Sequence, residues 1–109
     1  MAVMIVSFNI EEDDSVLSRA IHGKLVDELR RGRTENQIHL EDGLCFISTP
    51  ENIYALSNRL VGAKILRIDK DGLAVIDERS KKMLVWGICD MRLFYKYSGY
   101  GMIKIYEDL

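Results

Sequence analysis

Residues 2 to 10 read AVMIVSFNI, an almost wholly apolar stretch that is rich in valine and isoleucine. Strands that are buried on both faces have continuous apolar runs of this kind, because neither side of the strand meets water. The stretch therefore predicts a central strand of a sheet. The apolar run stops at Asn9 and passes into the acidic residues 11 to 14. Asn9 is thus either the end of a buried strand or the remnant of a site.

An amphipathic helix is predicted after this strand. Asp13, Asp14 or Ser15 can cap its free amides, and the acidic run suits the positive end of the helix dipole. Apolar residues then recur every four positions and form one stripe, as expected for a helix packed on a sheet. The stripe consists of Leu17, Ile21, Leu25 and Leu29.

Arg30, Arg31 and Arg33 form the densest basic spot of the chain. One interpretation is a patch that contacts phosphates. The other is that these arginines complement the negative end of the first helix, which Gly32 is suited to stop. The formal net charge of -2 and the isoelectric point of about 5.7 favour the second, since a nucleic-acid-binding domain usually has a value above about 9.

The middle of the chain predicts two short strands and a second helix. Residues 37 to 48 carry two apolar clusters around Glu41-Asp42-Gly43, which indicates a hairpin or one bent strand pair. Thr49-Pro50-Glu51 is a helix opening, with Thr49 as the cap. The predicted buried face and end of this helix are Ile53, Leu56, Leu60 and Gly62.

From residue 64 onward the pattern predicts strand after strand. KILRID and LAVIDE flank Lys70-Asp71-Gly72, a hairpin signal. MLVWGI follows, and RLFYKY and MIKIYEDL flank a turn at residues 98 to 101. The order is β-α-β-β-α-β with a β-rich extension, so we predict an α+β fold with a ferredoxin-like core and additional C-terminal antiparallel strands. We expect one domain over residues 1–109, with the core at about 1–76 and the extension at about 77–109.

The core resembles a superfamily of small ferredoxin-like proteins. It includes the small nuclease-like subunit of the CRISPR adaptation complex, the virulence-associated protein D ribonucleases and a related antitoxin endoribonuclease. The resemblance covers about residues 2–76 and rests on strand order and on two motifs, Phe8-Asn9-Ile10 and Phe46-Ile47-Ser48-Thr49. It implies a homodimer formed through the sheets.

The sequence departs from that superfamily at Asn9. The resemblance implies that members active as metal-dependent nucleases use an Asp at this position, paired across the dimer, to hold a divalent ion. Hard cations prefer carboxylate oxygen, and the Asn9 side chain offers a neutral carbonyl oxygen instead. This departure argues against metal-dependent cleavage.

No metal and no cofactor are predicted. Cys45 and Cys89 stand in apolar surroundings, so we expect reduced thiols in the core. His22 and His39 do not form a ligand pair by spacing. Residues 67 to 78 nearly fit a calcium loop, but its first position is Arg67 where an acid is needed.

The aromatic segment RLFYKYSGYG supplies the candidate partner-binding residues. On a strand, Leu93, Tyr95 and Tyr97 share one face. A half-buried strand ranks first, a protein interface second and base stacking third. The candidate residues for a partner are Tyr95, Tyr97, Tyr100 and Arg92.

Two functions from different classes remain open. The first is a small non-catalytic binding or regulatory module, of the inhibitor type carried by phages and mobile elements, that docks on a protein partner. The second is a ferredoxin-like ribonuclease or nuclease that acts as a homodimer, with Arg30, Arg31 and Arg33 holding phosphates. Asn9, the acidic charge and the unmatched C-terminal third favour the first. No apolar run approaches the roughly 18 residues that span a bilayer, and no signal peptide is evident. We therefore expect a cytoplasmic homodimer without a membrane partner.

Overall fold

The computed structural model describes residues 2–11 and 16–105, which form six strands, three α-helices and one short 3-10 helix. The helices lie between the strands of the sheet in the sequence. The elements are β1 (Ala2–Asn9), α1 (Val16–Arg30), the 3-10 helix (Glu35–Gln37), β2 (Ile38–Glu41), β3 (Leu44–Thr49), α2 (Ile53–Gly62), β4 (Gly72–Asp77), β5 (Lys82–Gly87), α3 (Arg92–Lys96) and β6 (Gly101–Ile105).

The strands form one sheet in the order β2-β3-β1-β4-β5-β6. β1 pairs antiparallel with β3 on one side and with β4 on the other, so both of its edges are occupied. This confirms that the apolar run at the N-terminus is a central strand. β2 and β6 are the two edge strands of the sheet.

α1 and α2 cover one face of the sheet and form the larger apolar core with it. Ile21, Leu25 and Leu29 are buried as the stripe predicts. Leu17, the first member of that stripe, is wrongly included, because it is 53% exposed in the first turn of α1. The capping residues Asp13, Asp14 and Ser15 lie outside the described residues.

α3 packs on the opposite face, where the sequence predicts a strand. Leu93, Phe94 and Tyr97 meet Met83 and Val85 of β5 in a second, smaller core. Leu93, Phe94 and Tyr97 have the spacing of one face of a helix. The prediction that RLFYKY is a strand, with Leu93, Tyr95 and Tyr97 on one face, is therefore wrong. The alternation over so few residues fits both periods, and packing on the sheet decides between them.

The predicted hairpin around Lys70-Asp71-Gly72 is also wrong. KILRID forms part of the loop between α2 and β4. Lys64 has a φ of 59° at the start of this loop. Near its end, the N–H of Asp71 donates to the carbonyl of Arg67 at 2.7 Å. GLAVID forms β4, and its hairpin partner is β5, through a turn at residues 78–81.

α2 begins three residues later than predicted. Asn52 caps it, since its side-chain oxygen accepts the N–H of Ala55 at 2.8 Å. The hydroxyl of Thr49 accepts the N–H of Glu51 at 3.1 Å instead. The buried face and the end at Gly62 agree with the prediction.

The described residues thus form a mixed α+β fold with a six-stranded sheet. The C-terminal extension is antiparallel only in part, because β5 pairs antiparallel with β4 whereas β6 pairs parallel with β5. No helix within the described ranges is long and apolar enough to cross a membrane.

Candidate functional site

A cleft of about 1220 Å³ opens at the end of the sheet where β1 stops. Its floor is the end of β1, and one wall comes from the start of α1. The remaining walls are the β2–β3 turn, the loop before β4 and the segment from Ile88 through α3. These segments meet because β1, β2 and β5 end, and β3 and β4 begin, at the same end of the sheet.

Asn9 is the last residue of β1 and lines this cleft. It stands opposite Gly72 in the ladder with β4, and its side chain is exposed. Its Nδ2 donates a long hydrogen bond of 3.5 Å to the carbonyl of Ile88. A carboxylate at this position would face that carbonyl without a proton to donate. The amide of Asn9 therefore fits its surroundings better than an aspartate would.

The buried carboxylate of Asp71 connects the chain just after β1 to the loop before β4 through hydrogen bonds. It accepts the N–H of Glu11 at 3.0 Å and the backbone N–H of Arg67 at 2.8 Å. The Arg67 guanidinium adds bonds of 3.0 and 3.1 Å. Burial acts to raise the pKa of Asp71, but the hydrogen bonds from Arg67 and Glu11 outweigh it and hold this pKa below the usual value. Asp71 is thus committed to structure and is not free to bind calcium.

Two glycines set the position of the segment that leads into α3. A Cβ on Gly72 would lie 1.7 Å from the carbonyl oxygen of Ile88. Gly87 has a φ of 71°, and a Cβ there would lie 2.2 Å from the carbonyl oxygen of Asp71. The N–H of Ile88 bonds that same carbonyl at 2.9 Å. This close backbone contact turns the chain from β5 into the wall of the cleft.

The cleft is lined by charges of both signs around an apolar floor. Its acidic residues are Glu11, Asp42, Asp69 and Asp90, and its basic residues are Arg19, Lys70, Arg92 and Lys96. The apolar lining consists of Phe8, Ile10, Leu44, Ile88 and Leu93. The local field therefore has no dominant sign, which does not favour a polyanion.

Two of the cleft's polar residues are held by neighbours. The guanidinium of Arg92 forms a bidentate pair with Asp90, with Nε 3.1 Å from Oδ1 and Nη2 2.6 Å from Oδ2, and these hydrogen bonds lower the pKa of Asp90. The ring of His22 lies 5.7 Å from that of Phe8, centroid to centroid. His39 lies on β2 and does not line the cleft, and its Nε2 is 3.2 Å from Oε1 of Glu41.

The predicted partner-binding residues separate into exposed and buried ones. Tyr95 is 79% exposed, whereas Tyr97 is 7% exposed and belongs to the smaller core. Tyr100 is half-buried, with its ring against that of Tyr97 at 5.1 Å and under Lys81. Arg92 is exposed but engaged with Asp90.

The exposed part of the α3 segment carries Tyr95, which the sequence analysis names, and two apolar residues that it does not, Ile88 and Met91. Ile88, Met91 and Tyr95 are 51%, 65% and 79% exposed. We call these three residues the α3 face. Its neighbours Arg92 and Lys96 line the cleft, so the α3 face borders the cleft directly.

The predicted phosphate patch lies at the other end of the molecule. Arg30, Arg31 and Arg33 follow the end of α1, whereas the cleft adjoins its start. α1 has 15 residues, and at a rise of about 1.5 Å per residue its ends are about 22 Å apart. A single chain therefore does not bring these arginines to Asn9 or His22.

Acids surround this patch. Arg31 lies 3.6 Å from Glu28, and the guanidinium of Arg59 bonds both Glu28 and Glu51. The pKa of Glu51 is lowered first by its hydrogen bonds from Arg59, and the charge of Arg33 adds to this effect. The network ties α1 to α2 and neutralises part of the basic charge.

Residues 2–11 and 16–105 contain no group of three or more His, Cys, Asp or Glu side chains arranged to hold a metal ion. Cys45 is buried, and burial raises its pKa to about 11. Cys89 is half-buried, with its sulfur 3.3 Å from the carbonyl of Leu73. Both cysteines are reduced thiols in this fold.

Sequence reasoning predicts the strand end at Asn9 but not the cleft around it. The cleft joins segments from Ser7 to Lys96, which are 89 residues apart in the sequence, and no local pattern encodes their meeting. The only local signals are the turn residues Asp42-Gly43, Asp71-Gly72 and Gly87. Comparison of the chain with protein-family models, curated proteins and solved structures gives no significant match.

Proposed function

We propose that this chain is a small non-catalytic binding module, of the regulatory or inhibitor type, which docks on a protein partner through the α3 face. The observation that carries the proposal is the exposure of three large apolar residues, Ile88, Met91 and Tyr95, within one segment of eight residues. Tyr, Met and Arg are enriched at protein interfaces, and Arg92 stands next to these residues. Contiguous exposed apolar residues rimmed by polar ones mark interaction sites.

The test compares capture by matched variants. The wild-type chain and three variants are immobilised, and proteins retained from the source cells are quantified by mass spectrometry. Met91→Ala and Tyr95→Ala should each reduce retention of the partner about tenfold, the usual effect of losing an interface anchor. Tyr54→Ala removes an exposed tyrosine of α2 and should leave retention unchanged. Equal retention by all four proteins would contradict docking through the α3 face.

For the fold, we infer a ferredoxin-like unit in β1 through β4 with α1 and α2. Three features support it. The chain order is β-α-β-β-α-β, the spatial order is β2-β3-β1-β4 with antiparallel neighbours, and both helices contribute to the core on one face of the sheet. On the same grounds we propose a relationship to the superfamily of the small CRISPR adaptation-complex nuclease subunit, the virulence-associated protein D ribonucleases and the related antitoxin endoribonuclease.

We also propose a homodimer that forms through β6. Of the two edge strands, β2 is flanked by the 3-10 helix, whereas β6 has Met102 and Ile103 51% and 36% exposed. An open edge with apolar side chains is a template for pairing with another chain. Light scattering at micromolar concentration should give the mass of two chains, and Ile103→Lys should reduce it to one. A wild-type monomer would remove this proposal.

The second candidate function is a ferredoxin-like nuclease. One feature favours it: the turn with Arg79, Lys81 and Lys82 leads into β5 at the same end of the sheet as the arginines after α1, so basic residues gather there. The test is a cleavage gel with labelled single-stranded RNA and double-stranded DNA in magnesium, manganese or chelator. Cleavage that persists through repurification and is lost in Arg30→Ala with Arg31→Ala would replace the binding-module proposal.

A further inference from the structure

We infer that the cleft receives an extended polypeptide segment of the docking partner, and that the side-chain amide of Asn9 anchors the main chain of this segment. The inference rests on the proposed docking function and deepens it. It names a polypeptide as the class of ligand for the cleft. It also gives the Asn9 amide a role in hydrogen bonding, whereas an Asp at this position in a metal site would bind the ion.

The size of the cleft favours a polypeptide over a small molecule. Sites for drug-sized ligands have volumes of about 300–1,000 Å³ and enclose most of the ligand. This cleft has about 1220 Å³ and runs around the end of the sheet from α1 to α3. A segment of several residues occupies such a space better than a metabolite.

The charges of the cleft favour the same ligand. Four acidic and four basic side chains surround its apolar floor. An oligonucleotide would meet Asp42, Asp69 and Glu11 as well as the cations, and its phosphates would be repelled by these acids. A polypeptide can offer a large apolar side chain to Leu44 and Leu93 and charges of both signs to the rim. The expected segment therefore has an apolar anchor flanked by acidic and basic residues.

Asn9 is suited to hold a peptide main chain. Its side chain has one acceptor oxygen and two donor protons, so it can bond an N–H and a C=O of an extended segment together. In this structure its single hydrogen bond among the described residues is the long one to Ile88, and the side chain is exposed in the cleft. An aspartate could accept but not donate. The same amide that departs from a metal-binding motif thus fits peptide recognition.

The cleft is continuous with the α3 face. Ile88 belongs to both, and Arg92 and Lys96 of α3 line the cleft beside Met91 and Tyr95. A partner that covers the α3 face would have a neighbouring segment within reach of Asn9. The two surfaces together form one binding region on the described part of the chain.

The experiment uses a random dodecamer peptide library displayed on phage and panned on the full chain. Enriched peptides are synthesised, their Kd values are measured by fluorescence anisotropy, and their contacts are mapped by amide chemical shifts. We expect enriched peptides that share an apolar residue flanked by charges and shift the amides of Ser7, Asn9, Gly43 and Leu93. Asn9→Asp should weaken their binding about tenfold, as loss of a hydrogen bond within a binding site does.

Matched controls separate the outcomes. Asn58→Asp makes the same change on the exposed side of α2 and should alter the Kd less than about twofold, within the usual effect of a remote surface change. Asp42→Lys, in an exposed turn, should shift the preference toward acidic peptides. Peptides that shift only Met91 and Tyr95 would overturn the cleft inference while the α3 face remains the docking site. The cleft inference would also be overturned if the enriched peptides shared no sequence. It would be overturned likewise if single-stranded RNA, and no peptide, changed the amide chemical shifts of the cleft residues. Loss of partner capture in Tyr95→Ala tests the docking function independently.

Discussion

The carboxylate of Asp71 accepts the backbone N–H of Glu11 at 3.0 Å, across 60 residues of chain. The same carboxylate accepts the backbone N–H of Arg67 at 2.8 Å. One buried side chain therefore fixes the end of β1 to the loop before β4. Because both segments line the cleft, the shape of the cleft depends on this contact.

Asp71→Asn should lower the free energy of unfolding at pH 7 by about 3 kcal/mol, since it removes the negative charge that the Arg67 guanidinium meets in a largely buried setting. The pKa of Asp71 is lowered in the fold, so its contribution is present above the usual carboxyl pKa of 3.8 and is lost as the pH falls through the folded-state value. Urea unfolding at pH 7 and at acidic pH measures the difference between wild type and variant. The difference should shrink on acidification, and a constant difference would contradict this role.

The backbone contact between Gly72 and Ile88 gives a second prediction. Gly72→Ala places a methyl group against the Ile88 carbonyl and should cost about 3 kcal/mol, because backbone on both sides must move. Gly23→Ala is the matched control. Gly23 lies within α1, and a Cβ added there would meet no atom within 4 Å, so alanine should raise stability by about 1 kcal/mol through helix propensity. Thermal unfolding of the two variants should shift in opposite directions, and equal shifts would refute the close contact.

The tyrosines of the α3 segment should differ in their effects on stability. Tyr97→Ala removes a ring from the smaller core and should lower the free energy of unfolding by about 3–5 kcal/mol. Tyr95→Ala should change it by less than about 0.5 kcal/mol, because its ring lies on the surface. Chemical denaturation measures both. A large loss in Tyr95→Ala would mean that this ring packs on the fold and is not free for a partner.

The two thiols should differ in reactivity. The pKa of Cys45 is raised to about 11 by burial, so its thiolate is scarce at neutral pH. Ellman's reagent added to the native chain should label Cys89 faster than Cys45, and Cys89→Ser should remove the fast phase. Labelling of both at the same rate would show that the larger core opens readily.

The elements with long, regular patterns are predictable from this sequence. β1 is a continuous apolar run, and α1 and α2 have apolar residues at helical spacing over several turns. The strands β2 and β3 are separated by Asp42-Gly43, where Gly43 has a φ of 70°. In each case local pattern and tertiary packing favour the same structure.

The incorrect secondary-structure predictions concern segments whose backbone conformation depends on side-chain contacts. KILRID alternates like a strand, but Asp71 binds the N–H of Arg67 and removes that donor from any ladder. RLFYKY is too short for its alternation to exclude a helix, and the sheet face formed by Met83 and Val85 selects the helix. β6 pairs parallel with β5 because the segment that contains α3 returns the chain to the end of the sheet where β5 begins. The packing of α3 on β5 and the pairing of β6 with β5 join separate elements and are not encoded in a local pattern.

The cleft could be predicted only in part for the same reason. Asn9 is recognisable as a polar strand end, yet its partner Ile88 is 79 residues away. The α3 face is visible only once the segment is known to be helical, because Met91 and Tyr95 share a side at a spacing of four. Tyr97 looks equivalent to Tyr95 in the sequence and has the opposite exposure in the fold.

The most direct measurement of the docking proposal is photo-crosslinking in the source cells. One variant carries a photoreactive phenylalanine in place of Tyr95. A control variant carries it in place of Tyr54, an exposed tyrosine of α2. We predict a discrete protein adduct from position 95 that is absent from position 54 and is lost when Met91→Glu is added. Adducts of equal yield from both positions, or none from position 95, would contradict docking through the α3 face.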